Sequence, residues 1–229
     1  MVAESTAMTD FAVIGTDTGV GKTVVTAGLV GWLHDEGVDA VGLKPAQTGY
    51  PSDDDAAFVA DACGTDAGAV CLKRLEPALA PEVAAEAASV DLSYAAIREG
   101  CEQELAAAEV AVVEGIGGLR VPLAEGREVV DLVADLGVQT VVVGRSGLGT
   151  LNHTALTVEA LRRRDIPVRG IVLNEYEGEC VAERTNPGVL HRMIDCPVAT
   201  LPPLNLSDPS AAVTGVRNHL PRKFAFGNG

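Results

Sequence analysis

The sequence predicts a single α/β domain, a doubly wound, mostly parallel sheet with helices on both faces. Three observations carry that prediction. Apolar runs of strand length alternate along the chain with segments of helical period, the pattern of βα units. Several runs, such as Val110-Ala-Val-Val113 and Thr140-Val-Val-Val143, are almost continuously apolar, as strands covered on both faces must be. The 229 residues, 47% of them hydrophobic, suffice for one well-filled core, and no shift in composition marks a linker. We therefore expect one domain over 10–222, loose tails at 1–9 and 223–229, and a start at either Met1 or Met8.

The elements follow in order. Phe11 to Gly15 is the first strand. From Lys22 to about Glu36 the period changes to helical, with Val25, Leu29 and Trp32-Leu33 on one side and Gly37 as the stop. Asp39 to Lys44 is the second strand, closed by Pro45, and 47–52 reads as loop. A short helix starts at Asp53-Asp-Asp55, where acids suit the helix dipole. Residues 64–90 are the least regular part, with a helix possible from Pro81. A helix follows Asp91 to about Ala108. Val110 to Gly115 reads as a buried strand ending in the acid Glu114. Glu128–Leu136 is helix, Thr140–Gly144 strand, Leu151–Arg164 helix and Val168–Asn174 strand. Glu183–Ile194 reads as a helix interrupted near Pro187, Val198–Pro202 as the last strand and Ser210–Leu220 as a short helix. Right-handed crossovers place every strand-to-helix loop at one edge, so Thr16, Lys44, Glu114, Asn174 and Pro202 converge on one rim.

Composition excludes several functions. With 32 acidic and 17 basic residues the formal charge is −15, which argues against nucleic-acid binding through a general basic surface. High hydrophobicity rules out disorder as the source of that acidity. Two accounts remain: a surface suited to a halophilic cytoplasm, or an ordinary acidic protein. No apolar run approaches the roughly 20 residues of a membrane span, and the N-terminus lacks the basic-then-apolar order of a signal peptide. The five cysteines are odd in number, widely spaced and without a Cys-x-x-Cys pair, as expected for reduced thiols in a cytoplasm.

The stretch Gly15-Thr-Asp-Thr-Gly-Val-Gly-Lys-Thr23 joins the first strand to the first helix. A glycine-containing loop ending in Gly-Lys-Thr at a helix N-terminus is a phosphate cradle. Backbone N–H groups and the helix dipole bind the anion, Lys22 reaches the β- and γ-phosphates, and Thr23 holds Mg²⁺. The strict pattern places glycine where Thr16 stands; Gly15 lies one residue earlier. Lys44 is one of only four lysines (Lys22, Lys44, Lys73, Lys223), and it ends the second strand beside the expected phosphates. There it can stabilise transferred charge. Glu114 ends a buried apolar run, a costly place for a carboxylate unless it is paired or on a metal. Mg²⁺ takes oxygen ligands, and Thr23, Asp55 and Glu114 offer hydroxyl and carboxylates of that kind.

These motifs together resemble the dethiobiotin synthetase family of phosphate-loop enzymes. The family loop is similar to Gly15–Thr23, varying only at the position of Gly19. Lys44-Pro-Ala-Gln-Thr-Gly49 resembles its Lys-Pro-x-x-Ser/Thr-Gly, and Val113-Glu-Gly-Ile-Gly-Gly118 its Val-Glu-Gly-x-Gly-Gly. Asp53-Asp-Asp-Ala56 resembles its Asp-Asp-Ala, which points to Asp55 as the Mg²⁺ ligand and leaves Asp53 and Asp54 as a solvated helix start. The resemblance implies ATP contacts at Thr18, Gly19, Val20, Gly21, Lys22, Thr23, Val24, Asp55, Glu114, Gly115, Ile116 and Gly117. It adds Asn174 and Glu175 beside adenine and Pro202, Pro203 and Leu204 on the nucleoside. It implies catalytic roles for Lys22 and Lys44, and metal ligation by Thr23, Asp55 and Glu114. Substrate contacts would come from Thr48 and from Gly149, Thr150, Leu151 and Asn152, a helix start donated across a homodimer interface.

The activity so implied is ATP- and Mg²⁺-dependent closure of the ureido ring of dethiobiotin from 7,8-diaminononanoate and CO₂ by a cytoplasmic ligase, with no nucleic-acid or membrane partner. Ala80-Pro81-Glu82 and Arg145-Ser146-Gly147 depart from the commoner family pattern. His153 reads as a structural hydrogen-bonder and Arg162-Arg-Arg164 as a solvated helix end. Two rivals are a cobyrinate amidase-type ligase, for whose glutaminase domain the chain leaves no room, and a nucleotide-switched partner-binding ATPase. Relatives of the latter kind carry a signature lysine where this chain has Asp17.

Overall fold

The computed structural model describes residues 8–227. In chain order the elements are β1 (Phe11–Gly15), α1 (Lys22–Asp35), β2 (Ala40–Lys44), β3 (Gln47–Thr48), α2 (Asp55–Cys63), β4 (Ala69–Cys71) and β5 (Arg74–Leu75). There follow α3 (Pro81–Ala88), α4 (Tyr94–Ala107), β6 (Val110–Gly118), β7 (Pro122–Ala124), β8 (Arg127–Glu128), α5 (Val129–Leu136) and β9 (Gln139–Arg145). The chain closes with α6 (Thr150–Arg162), β10 (Val168–Asn174), α7 (Val181–Ile194), β11 (Val198–Thr200), α8 (Ala211–His219) and α9 (Lys223–Phe226).

Seven strands form one parallel sheet in the order β11-β10-β9-β1-β6-β2-β4. The pleat sends alternate side chains of β1 to opposite faces. Phe11 and Val13 enter a core with α1, α2, α8 and α9, whereas Ala12 and Ile14 enter the core on the other face, with α3 to α7. This is the predicted doubly wound architecture. β1 lies at its centre, between β6 and β9, so the loop leaving β1 emerges at mid-sheet. α1 lies close against α8: a β-carbon added at Gly28 would sit 2.3 Å from Val216 Cγ2 and 2.7 Å from the Ala212 carbonyl oxygen.

Four expectations need correction. Residues 223–226 are not a loose tail but α9, with Phe224 fully buried against the sheet. Arg169, itself buried, donates to the carbonyls of Phe224 and Ala225 and to Thr9. Both ends of the described chain are thereby tied to β10. Of the tail expected at 1–9, residues 1–7 lie outside the described residues, as do 228–229 of the C-terminal one, while Met8 packs against the core. β6 does not stop at Gly115 but runs on to Gly118, with an irregularity opposite β1. α7 is continuous through Pro187, because Leu190 and Ile194 beyond it pack into the core and outweigh one missing hydrogen bond. The region 64–90, read as irregular apart from a helix from Pro81, also contains β4, the edge strand of the main sheet, and β5, which pairs with β3.

Candidate active site

The loop after β1 closes over the start of α1. Gly21 has φ 92°, a left-handed conformation that favours glycine. A β-carbon there would lie 2.0 Å from Asn174 Nδ2, which donates to the Val20 carbonyl at 3.1 Å. Thus Asn174, at the end of β10, fixes the loop from the side. Lys22 is 7% exposed and its Nζ folds back to the Asp17 carbonyl at 3.2 Å. Burial, reinforced by the charge of Lys44, holds its pKa below the usual lysine range.

Behind the loop lies a charged cluster drawn from four elements. Lys44 Nζ at the end of β2 is 2.5 Å from Asp55 Oδ2 on α2 and 2.8 Å from Glu114 Oε1 on β6. Thr23 Oγ1 on α1 is 2.9 Å from both Asp55 Oδ1 and Glu114 Oε1. Burial opposes the charge on Lys44, but the two carboxylates outweigh it and raise its pKa, so it stays an ammonium. Burial also opposes ionisation of Asp55; Lys44 and the Thr23 hydroxyl reverse the balance and lower its pKa. Glu114 is 2% exposed, and for it burial prevails over Lys44 and pushes the pKa up. One ammonium between two carboxylates thus leaves the more buried acid short of positive charge, which a divalent cation would provide.

Among the described residues no three His, Cys, Asp or Glu side chains form a metal-binding group. A metal here would be held by the oxygens of Thr23, Asp55 and Glu114 and complete its shell with water and phosphate oxygens. That donor set fits Mg²⁺, which favours hard oxygen ligands and keeps several waters.

These groups line a cleft of about 480 Å³. Thr18, Gly19, Gly21, Lys22, Thr23 and Val24 of the loop and helix start line it, together with Lys44, Thr48, Asp55, Glu114, Ile116 and Gly117. Asn174, Glu175, Pro203 and Leu204 complete the lining. Three expected residues contribute otherwise. Val20 is buried and offers its carbonyl to Asn174, the Gly115 carbonyl lies 3.5 Å from Lys44 Nζ, and Pro202 is outside the lining. Gly149, Thr150, Leu151 and Asn152 also stand apart from the cleft within one chain. Thr150 is buried beside Thr154, and Leu151 packs against the core.

Three lining residues escaped the sequence reading. Asp53 was assigned to solvent and Leu206 was not singled out. Gln47, 4% exposed, accepts the Asp55 N–H with Oε1 and donates to the Thr48 carbonyl. Its place between Lys44 and Thr48 in one motif was the available signal. Asp54 instead caps α2, accepting from Ala57 N–H. The departure at Glu82 also has a structural use: it accepts the Gly126 N–H, tying α3 to the β7–β8 turn.

Relatives decide the family. Over 212 residues the chain is 68% identical to the ATP-dependent dethiobiotin synthetase of Haloferax mediterranei, covering 93% of this chain and 91% of that one. It belongs to the dethiobiotin synthetase family. The enzyme of that name from Anaeromyxobacter sp. (strain K) is 44% identical over 196 residues, 83% of this chain and 88% of its own. The AAA-domain family model matches residues 9–211. Solved structures add the fold. The septum site-determining protein MinD with Mg-ADP from Pyrococcus horikoshii OT3 has TM-score 0.57 at 15% identity, covering 91% of this chain and 86% of its own. A nucleotide-binding protein with ADP from Archaeoglobus fulgidus has TM-score 0.55 at 14% identity, covering 97% and 93%. This dethiobiotin synthetase family member shares their fold, and among its described residues no helix is long and apolar enough to cross a membrane.

Proposed function

We propose that the chain closes the ureido ring of dethiobiotin from 7,8-diaminononanoate, CO₂ and ATP. The observation that carries this is Lys44, a buried ammonium aimed into a phosphate-loop cleft between two carboxylates and beside Thr48. A substrate amine attacks CO₂ to form a carbamate and loses a proton. A carbamate oxygen takes the γ-phosphoryl group and ADP leaves. The second amine attacks the carbamate carbon and gives up a proton, inorganic phosphate departs with the carbon–oxygen bond broken, and the ring closes. The loop N–H groups and Lys22 bind and orient the phosphates, and Lys44 stabilises charge on the carbamate and its phosphorylated form. Such positioning and charge stabilisation is most of what phosphoryl transfer requires. Mg²⁺, held by Thr23, Asp55 and Glu114, would neutralise phosphate charge.

The substrate carboxylate would rest on the helix start at Gly149–Asn152 of a second copy in a homodimer, since a helix N-terminus suits an anion and these residues stand apart from this chain's own cleft. The test is a mass-spectrometric product assay with the diamine, bicarbonate, ATP and Mg²⁺. Dethiobiotin formed in step with ADP supports the reading. ATP turnover indifferent to the diamine would sink it and favour a nucleotide switch, and light scattering that finds only monomer in active solutions would remove the shared site.

A further inference from the structure

The loop from β9 to α6 is anchored from an element that takes no part in the cleft. Ser146 Oγ lies 2.7 Å from Glu183 Oε1 and 3.0 Å from the Glu175 carbonyl. Glu183 Oε2 also accepts the Glu179 N–H at 3.1 Å. Three residues further along α7, Asn186 Nδ2 donates to the carbonyls of Ser146 at 2.8 Å and Gly147 at 3.0 Å. All three side chains are buried: Ser146 is 4%, Glu183 9% and Asn186 4% exposed. The next residue, Leu148, is 98% exposed, so apolar packing does not hold the loop there. The Ser146 hydroxyl and neighbouring backbone amides keep Glu183 below the usual carboxylate range, as an ionised acceptor.

We infer that Glu183 and Asn186 are positioning residues for recognition of the substrate carboxylate. They fix the turn that aims the first N–H groups of α6, and through Ser146 they join that turn to Glu175 on the nucleotide side. This role rests on the reading above, in which the start of α6 binds the carboxylate of the diamine. The geometry accounts for polar side chains buried on α7, where an apolar residue would satisfy packing alone. Carbonyls of the turn that lose their donors must find new partners, and the turn shifts with them.

The experiment compares Asn186→Ala, Ser146→Ala, Glu183→Ala and Glu183→Gln with the wild type, in full-length protein. Steady-state kinetics give KM for 7,8-diaminononanoate and for ATP, and amide hydrogen exchange reads the 147–152 backbone. Asn186→Ala, which removes both bonds, should raise the diamine KM by at least about tenfold, the scale of a single buried hydrogen bond. The ATP KM should stay within about twofold and exchange at 147–152 should quicken. Glu183→Gln, which keeps acceptor oxygen, should recover much of what Glu183→Ala loses. Ser146→Ala removes a single hydroxyl and keeps the test open should the α7 variants misfold. An unchanged diamine KM and unchanged exchange in folded Asn186→Ala would overturn the role. So would equal rises in both KM values with a lowered Tm, the mark of general loosening. Wild-type protein that hydrolyses ATP without need of the diamine would refute the underlying function, and this role with it.

Discussion

Replacement of Glu114 by glutamine separates catalysis from folding. The side chain keeps its shape and one acceptor oxygen for Lys44 and Thr23, now 2.8 and 2.9 Å away. What disappears is a charge. A hydrogen bond to a charged group contributes about 1.5–3 kcal/mol against about 0.5–1.5 for a neutral one; Lys44 keeps its own charge, so only the Thr23 bond becomes neutral and the loss is about 1–1.5 kcal/mol. Two features reduce it. Lys44 retains Asp55 at 2.5 Å, and the burial that pushes the Glu114 pKa up no longer works against a charge. A fall in Tm of at most about 6 °C follows for a domain of this size. Mg²⁺ binding should suffer far more, by at least 10–100-fold, the scale seen when even outer partners of a metal ligand are lost. Thermal melts and Mg²⁺ titrations of diamine-dependent turnover measure both. The pH axis adds a sign: the metal takes the ionised carboxylate, so wild-type Mg²⁺ affinity should climb as pH rises just above the ordinary carboxylate range. The glutamine variant should be flat there. An unaltered Mg²⁺ half-saturation together with a Tm loss beyond about 10 °C would show Glu114 to be a folding residue and refute the reasoning.

Lys44→Ala should bind ATP normally in a fluorescent-nucleotide titration yet lose about 10²–10³ in kcat, the usual cost of one electrostatic stabiliser; near-wild-type turnover would remove it from the mechanism. Lys22→Ala should lose nucleotide affinity itself, and an unchanged dissociation constant would contradict its place on the phosphates. Gly28→Val should lower Tm by about 2–12 °C, since overpacking costs about 1–3 kcal/mol where a β-carbon already meets Val216 and the Ala212 carbonyl; an unmoved melt would show that α8 yields freely. If the −15 charge serves a halophilic cytoplasm, Tm and turnover should both climb from dilute buffer to molar KCl as the Debye length falls from about 10 to 3 Å. Optimal behaviour in dilute buffer would retire that account.

Much of the fold was legible because its signals are local. Continuous apolar runs mark β1, β6, β9 and β10, and a glycine after a helical run marks the end of α5. The meeting of Lys44 and Glu114 was legible because βα topology carries strand ends to one rim, and Asp55, at the start of α2, joins them there. The three-residue β4 is too short for any period to show. α9 is anchored by Phe224 against β10 and by Arg169, contacts more than fifty residues distant in sequence. The extension of β6 depends on pairing with Gly15 rather than on its own glycines. The same holds for side chains that bond backbone groups elsewhere: Glu183 accepts the Glu179 N–H and Asn186 donates to the Ser146 carbonyl, and an acid or amide inside a helix announces no such partner.

MinD shares this fold, and the particulars of this chain begin at the corner where Asp17 stands. There Oδ1 accepts the Thr18 N–H at 2.7 Å, so the loop closes on itself and presents an acceptor. A cation is present instead on the inner wall, where Lys44 is 5% exposed and paired with two carboxylates. These two placements suit different chemistry. A switch must pass the state of its nucleotide to a surface that a partner can read. A cation enclosed in the cleft can act only on what enters it, and the carbamate of the proposed reaction would be an anion that needs such a cation and shelter from water. Under the proposed reaction, the sheet would set where the phosphates lie, and the end of β2 what is done with them.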